Sequence, residues 1–299
     1  MTTSTMSPRE LRRLRERYGP WAVVTGASDG IGREIALHLA AAGVHLVLVA
    51  RRAELLHALA ARLRAAHGIE VEPVAADLSL ASGVVEVLDR CEHRQVGLLV
   101  AAAGFGTSGR FVEAELVEEL AMIDVNCRAV AALSHAFARR FVAQRRGGIV
   151  LMSSLLAFQG VALSANYAAT KAWVQTFAEG LRLELSPCGV DVVATAPGPV
   201  RSGFADRAEM TMSFAETPAV VARGTLAALG RSGVVRPGWL SKLLEWSLAL
   251  LPRWGRVRVM AKVMASMARK TGSTLEPDST IPAGRATSAS ATSPRRANG

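Results

Sequence analysis

Short apolar runs alternate with amphipathic stretches from residue 21 to about residue 235. The runs at 21–25, 44–50, 70–75, 96–101, 148–153 and 190–195, with a weaker one at 233–236, are dominated by valine, leucine and alanine. Runs of this length predict short buried strands. Between them, residues 31–42, 53–67, 80–92, 113–145, 166–185 and 217–229 carry apolar side chains at helical spacing. Gly43, Gly68 and Gly189 fall near helix ends, where a left-handed cap is expected. Strand, helix, strand repeated in this way predicts an α/β fold, a doubly wound parallel sheet of the Rossmann-like kind, with right-handed crossovers and helices on both faces.

Two flanks break the alternation. Residues 8–18 form a short arginine-rich pattern expected to be a surface helix, within an N-terminal basic segment 1–18. The catalytic-size domain is expected at 19–237. A helical C-terminal appendage follows at 238–270, where Pro252 should break the pattern into two helices. From residue 271 to residue 299, serine, threonine, alanine, proline and arginine leave little to bury, and disorder is expected.

Composition narrows the classes. Half of the 299 residues are hydrophobic and only 5% aromatic, which suits helices packed on a parallel sheet. The net charge of +10 raises the question of nucleic acid. Much of the excess lies between Arg9 and Arg17 and from Lys242 onward, outside the predicted domain, so no nucleic-acid partner is expected. An anionic cofactor or an anionic membrane surface accounts for the same charge. Cys91, Cys127 and Cys188 form no metal-binding or disulfide pattern, so a reducing, cytoplasmic setting and no metal are expected. No apolar run is long enough to span a bilayer, and no secretory signal is expected before residue 10.

The first predicted strand runs directly into Thr25-Gly26-Ala27-Ser28-Asp29-Gly30-Ile31-Gly32, which then opens a helix. Glycines at such a turn let the backbone approach a pyrophosphate, whose charge meets the helix N-terminus. The end of the second strand reads Ala50-Arg51-Arg52, with no acid before Glu54. An acid there would hold a ribose 2′-hydroxyl; a guanidinium instead can bind a 2′-phosphate. The expected cofactor is therefore NADP(H), with Arg51 as the main contact and Arg52 beside it, unless both are solvated loop charges. Asp77-Leu78 follows the third strand. Asp77 can accept from an adenine amino group or cap the next helix, and its position does not separate the two.

Tyr167 and Lys171 stand one helical turn apart and share a face. An isolated tyrosine, with a pKa of about 10, carries protons poorly at neutral pH, and a neighbouring ammonium would stabilise its phenolate. Ser154 ends the fifth predicted strand 13 positions before Tyr167, and Asn126 lies within the long helix after Gly104. In an open parallel sheet ligands bind at the carboxyl ends of the strands, where these groups would converge.

These features together resemble the short-chain dehydrogenase/reductase superfamily, in its NADP-preferring form. Residues 25–32 match its TGxxxGxG turn, Asp124-Val125-Asn126 resembles the segment with its asparagine, and Ser154, Tyr167 and Lys171 fit its Ser, Tyr-x-x-x-Lys set. Pro197-Gly198-Pro199-Val200 resembles the loop over the nicotinamide. The likeness runs from about Tyr18 to Val235. It implies cofactor contacts at Gly26, Ser28, Asp29, Gly30 and Ile31, at Asp77 and Leu78, and at Ala103, Gly104, Pro197, Gly198 and Val200. It further implies that Ser154 binds the substrate oxygen and that Tyr167 donates the proton. Lys171 would bind the nicotinamide ribose and lower the tyrosine pKa, and Asn126 would hold a relay water. One departure stands out: Ala101-Ala102-Ala103-Gly104 replaces the family's Asn-Asn-Ala-Gly, so side-chain ties between strands are expected to be lost there.

Residues 18–30 also resemble the 3-ketoacyl-CoA reductase and 17β-hydroxysteroid dehydrogenase type 12 branch. Gly104-Phe105-Gly106 and Pro237-Gly238-Trp239-Leu240 are closer to a broad group of bacterial reductases. A lipophilic ketone, 3-oxoacyl or steroid-like, is the expected substrate, or the matching alcohol. Residues 239–267 mix Trp239, Trp246 and Trp254 with Lys242, Arg253, Arg256, Arg258 and Lys262. That pattern suits peripheral membrane contact, a substrate lid or a subunit contact equally. The helices at 113–145 and 166–185 are those the superfamily often pairs between subunits, so a homodimer or homotetramer is expected. The alternative on the same fold is a nucleotide-binding sensor or scaffold without turnover.

Overall fold

The computed structural model describes residues 6–201, 215–238 and 251–267. The expected helix before Pro252 and the expected disordered tail lie outside the described residues. Seven strands form one parallel sheet: β1 (Trp21–Thr25), β2 (His45–Ala50), β3 (Val71–Ala75), β4 (Val96–Ala101), β5 (Gly147–Met152), β6 (Val190–Thr195) and β7 (Val234–Val235). Their spatial order is β3-β2-β1-β4-β5-β6-β7. The chain order reverses between β1 and β4, and that crevice is where such sheets bind ligands.

Side chains alternate between the two faces along each central strand. Ala22, Val24, Leu98, Val100 and Val150 point to one core, with Ile35, Leu39, Leu56 and Leu226 from helices α2 (Gly30–Ala41), α3 (Ala53–His67) and α8 (Pro218–Ala228). Val23, Leu99, Ile149 and Leu151 point to the other. There they meet Val87, Phe137, Phe141 and Val174 from α4 (Ala81–Arg90), α6 (Ala129–Gln144) and α7 (Ala165–Leu185). Burial on both faces explains why these strands are nearly continuous apolar runs. Gly43, Gly68 and Gly189 all have positive φ, as helix-end glycines should.

The N-terminal helix α1 (Pro8–Tyr18) is more than a solvated surface helix. Leu14 and Tyr18 are fully buried in the first core. The Tyr18 hydroxyl donates to Asp191 Oδ2 at 2.8 Å, and Arg17 pairs with the same carboxylate at 2.5 Å. Arg13 donates to the carbonyls of Leu226 and Leu229 at 2.6 Å each, satisfying acceptors at the C-terminus of α8. The amphipathic pattern of α1 therefore docks rather than floats, and packing continues across the boundary expected at residue 18.

The single long helix expected at 113–145 is divided. A 3-10 turn (Phe111–Glu113) precedes α5 (Leu116–Ile123), a π-helical turn (Asp124–Arg128) and α6. One extra residue in the turn rotates Asn126 inward, and such π turns recur at functional sites. Beyond β7, α9 (Arg253–Met267) is the part of the C-terminal appendage that is described. Among the described residues no helix is long and apolar enough to cross a membrane.

Candidate active site

One cleft of about 830 Å³ runs along the carboxyl edge of the sheet. At one end it is lined by Gly26, Ser28, Asp29, Gly30 and Ile31, at the side by Arg51, Arg52, Asp77 and Leu78, and at its centre by Ala103 and Gly104. The other end holds Ser154, Tyr167, Lys171, Pro197, Gly198 and Val200. Every expected contact residue except Asn126 thus borders one space.

The glycine turn is shaped by close backbone approach. Gly26 has φ +66°, and a Cβ there would stand 2.7 Å from the Ala102 carbonyl oxygen; one on Gly32 would stand 2.4 Å from the Gly26 oxygen. Ala27 N–H donates to Val49 O at 3.2 Å, which ties the turn to the end of β2. Asp29 is the N-cap residue of α2 but makes no side-chain capping bond. The first residues of that helix, Gly30, Ile31 and Gly32, line the cleft, so a pyrophosphate there would meet the helix N-terminus. Arg52 reaches across the turn, donating to Ser28 Oγ at 3.1 Å, while Arg51 stands exposed at the cleft edge. The residues fit a dinucleotide carrying an extra phosphate.

Asp77 does not cap the next helix. The N-cap position of α4 is Leu80, and the Asp77 carboxylate instead accepts from Ser79 N–H at 2.9 Å and Ser79 Oγ at 2.8 Å. This side-chain turn holds the segment after β3 on the cleft wall.

Thr25 Oγ1 accepts from Ala103 N–H at 2.9 Å and donates to Val100 O at 3.4 Å, so a hydroxyl from β1 ties the end of β4 where the family's asparagines are replaced by alanines. Thr25 was visible only as the first letter of the glycine motif. Its bond depends on the β1–β4 pairing, which local pattern does not contain.

At the other end, Tyr167 is buried against Phe105 and Met122. Its hydroxyl bonds to Ser154, whose Oγ also accepts from Leu156 N–H at 3.2 Å. Lys171 Nζ donates to Met152 O at 2.9 Å and lies 5.7 Å from the centroid of the Tyr167 ring. Burial pushes the Tyr167 pKa up to about 12, against a smaller downward pull from the Ser154 bond. Burial likewise brings Lys171 down to about 8. In both groups burial is the first cause of the shift, and the Lys171 ammonium is held by the Met152 carbonyl.

These values carry a pH dependence of stability. Between about pH 8 and the ordinary lysine value of 10.5, the unfolded chain binds the Lys171 proton more tightly than the folded one. Stability from this group therefore rises with pH across that window, by on the order of 3 kcal/mol. Tyr167 acts in the opposite direction: its contribution is present below about pH 10 and is lost as pH climbs toward about 12. Urea unfolding between about pH 8 and about pH 10 is expected to show wild type gaining stability relative to Lys171→Met, a difference that cancels the opposing contributions of the buried thiols Cys91 and Cys127 common to both proteins. An equal gain in both proteins would refute the assignment.

Asn126 is fully buried and does not border the cleft. Its Oδ1 accepts from Phe105 N–H at 3.2 Å, and its Nδ2 donates to Phe105 O at 2.9 Å and Thr170 Oγ1 at 3.0 Å. A Cβ on Gly104 would stand 2.8 Å from Asn126 Oδ1 and 3.3 Å from Lys171 Nζ, so the three groups meet at that glycine. Thr170, which also donates to Tyr167 O at 2.8 Å, went unnoticed in the sequence although it lies within the Tyr-to-Lys turn.

A second buried cluster was not legible in the sequence. Glu119, 4% exposed, accepts from Thr107 Oγ1 and from Asn166 Nδ2, both at 2.7 Å. Ser164 Oγ donates to Thr107 O at 3.0 Å. Glu119 thereby joins α5, the loop after Gly104 and the first turn of α7 next to Tyr167. Glu119→Ala would remove the acceptor of the half-buried Thr107 hydroxyl and leave Asn166 Nδ2 with only its bond to the residue-119 carbonyl, and is expected to cost about 2 kcal/mol, measured by chemical denaturation. Glu119→Gln should recover part of this loss, and a loss below about 0.5 kcal/mol for alanine would contradict the role.

The Pro197–Val200 loop is anchored on both sides. Leu155 N–H donates to Pro197 O at 3.0 Å, and Glu216 N–H donates to Pro199 O at 2.9 Å. From above, Arg256, Met260 and Val263 of α9 complete the cleft wall, together with Arg236 after β7. Of the roles open to the C-terminal appendage, the described part has the geometry of a cover.

Comparison with known proteins agrees with this geometry. A family model described as "short chain dehydrogenase" matches residues 20–212. The chain is 31% identical over 244 residues to a very-long-chain 3-oxoacyl-CoA reductase of Pyrenophora tritici-repentis (strain Pt-1C-BFP), covering 77% of this chain and 71% of that one. Among solved structures it is similar to a 7beta-hydroxysteroid dehydrogenase, with a TM-score of 0.76, 28% identity, and 83% and 98% of the two chains covered. It is also similar to a short-chain dehydrogenase from Sphingobium yanoikuyae in complex with NADPH, with a TM-score of 0.71, 33% identity, and 79% and 97% covered.

Proposed function

The chain belongs to the short-chain dehydrogenase family and is an oxidoreductase of alcohol and carbonyl groups; on that premise we propose that it uses NADP(H) to reduce the carbonyl of a lipophilic substrate. One observation carries the reading. A single cleft has a glycine turn and two arginines at one end and Ser154, Tyr167 and Lys171 at the other. The NADPH complex of a similar protein supports the cofactor. When bound, NADPH supplies the hydride.

The chain's own groups do the rest. The Ser154 hydroxyl orients the substrate oxygen and the Tyr167 hydroxyl gives it a proton. Burial holds the Tyr167 pKa up, so at physiological pH its hydroxyl carries the proton that carbonyl reduction needs. Lys171 borders the cleft beside Gly104, within reach of a ribose. Asn126 holds the Phe105 backbone and Thr170 in place; its bonds favour a positioning role, with any relay water beyond Thr170. NADPH oxidation against a panel of ketones and 3-oxoacyl thioesters tests the reading. Tight NADPH binding with no turnover on any member would favour a sensor instead.

We place the protein in a reducing, cytoplasmic setting, which its free cysteines support. We assign α9 to cover the substrate, leaving the exposed Trp254, with Arg258 over its ring at 5.1 Å, for peripheral membrane contact. Leu116, Val117 and Leu120 of α5 and Trp173 of α7 are exposed apolar groups. They support a homodimer through the paired helices.

A further inference from the structure

Ser154 caps a 3-10 turn (Leu155–Phe158) that walls the substrate end of the cleft. Leu155, Leu156 and Phe158 give this wall hydrocarbon, but Gln159, the residue that closes the turn, gives it an amide. Neither proton transfer nor nucleotide binding uses that group. Gln159 is 6% exposed. Its Nε2 donates to Leu155 O at 3.2 Å, and among the described residues that is the one hydrogen bond its amide makes. The bond fixes which way the amide faces, because a carbonyl can only accept. It also folds the side chain back along the turn, to the carbonyl of the residue next to Ser154. The amide oxygen is left over. Oε1 has no partner among the described residues, yet it is not one of the side-chain atoms sealed from solvent without one. It is therefore reached from open space, and the space that Gln159 borders is the cleft.

Such an acceptor discriminates between ligands. A lipophilic substrate filling the cleft excludes water from Oε1, so the substrate must either supply a donor or leave a buried acceptor unpaired. Ketone, ester, thioester and ether oxygens only accept, and would set lone pairs against lone pairs there. A hydroxyl donates to Oε1 and can also accept from the second hydrogen on Nε2. We propose that Gln159 is a specificity-determining residue for a hydroxy-ketone. The reacting carbonyl of this lipophilic substrate meets Ser154 and Tyr167, and a hydroxyl a few carbons away bonds to the Gln159 amide. The short separation follows from the amide's return to Leu155, beside Ser154. This rests on the reductase reading and names the substrate class of that site: a 3-oxoacyl thioester without a hydroxyl would be the poorer substrate.

Matched ketones test it. Straight-chain hydroxy-ketones, with the hydroxyl at increasing distance from the carbonyl, and hydroxy-ketones on a rigid fused-ring skeleton are each assayed beside their methyl ethers. The ether keeps the oxygen and loses the donor. In wild type the hydroxyl member of at least one pair should have a kcat/KM about tenfold or more above its ether. Gln159→Leu and Gln159→Met remove the amide and keep most of the bulk. Each should bring that ratio close to one, with NADPH affinity as the check on folding. A residue that only braced the turn would lower both members by the same factor and leave the ratio where it was. A ratio near one for every pair in wild type, or a ratio that survives in either variant that still binds NADPH, overturns the proposal while leaving the reductase reading intact. If no ketone is reduced, the reductase reading fails, and thermal shift in the presence of NADPH decides the hydroxyl question with decanol and decyl methyl ether as probes. Stabilisation of wild type by the alcohol alone, lost in the variants, supports the proposal; equal shifts from the two probes, or an alcohol shift kept in the variants, overturn it.

Discussion

Replacing Tyr167 with phenylalanine is expected to lower kcat for carbonyl reduction about a thousandfold while leaving NADPH affinity nearly unchanged. The substitution removes one oxygen from a ring that is 8% exposed and packed on Phe105 and Met122, so the ring and its neighbours stay in place. Ser154 keeps its bond from Leu156 N–H. What disappears is the hydroxyl that bonds to Ser154, while Lys171, a second titratable group at this end of the cleft, stays held by Met152 O. The loss should fall on kcat, because the phenol oxygen contributes to the proton-transfer step more than to ground-state binding. Steady-state kinetics, with NADPH binding followed by fluorescence, separates these terms. Residual turnover above about a tenth of wild type would sink the assignment, since general acid catalysis ordinarily supplies at least two orders of magnitude.

The predicted strands 21–25, 96–101 and 190–195 coincide with β1, β4 and β6 to the residue. They are central, buried on both faces and bounded by turn residues, so local pattern alone defines them. β5 begins one residue earlier than predicted, at Gly147, whose added Cβ would strike Phe141 at 2.3 Å; that constraint comes from another helix. The helix at 113–145 was legible in extent but not in its π turn, since one inserted residue barely disturbs a helical repeat. The same distinction holds in the site. Glycine turns and the Tyr-to-Lys spacing are local and could be read directly. Glu119 meets Asn166 across 47 positions, and Thr25 meets Ala103 across 78, so neither bond leaves a local signature. Arg13 and Arg17 looked like solvated charge because their partners, Leu226, Leu229 and Asp191, come from the far end of the chain.

The two arginines after β2 should separate by experiment, because the structure gives them different company. Arg51 is exposed at the cleft edge, with no carboxylate before Glu54 to compete for a phosphate. Arg51→Ala should therefore weaken NADPH binding about ten- to a hundredfold, the equivalent of one charge-assisted contact, and leave NADH affinity almost unaltered. Arg52 also donates to Ser28 Oγ at 3.1 Å and so braces the glycine turn that any dinucleotide must use. Arg52→Ala should weaken both cofactors, NADPH by more than NADH. The salt dependence follows the same division: the Arg51 contribution to NADPH binding should shrink as ionic strength rises, since an exposed guanidinium is screened. Titration of both cofactors into the two variants checks this. An Arg51→Ala enzyme that discriminates between NADPH and NADH as sharply as wild type would mean that the 2′-phosphate is recognised elsewhere. Selectivity would then have to come from Arg52 acting alone, with Arg51 reduced to a solvated surface charge.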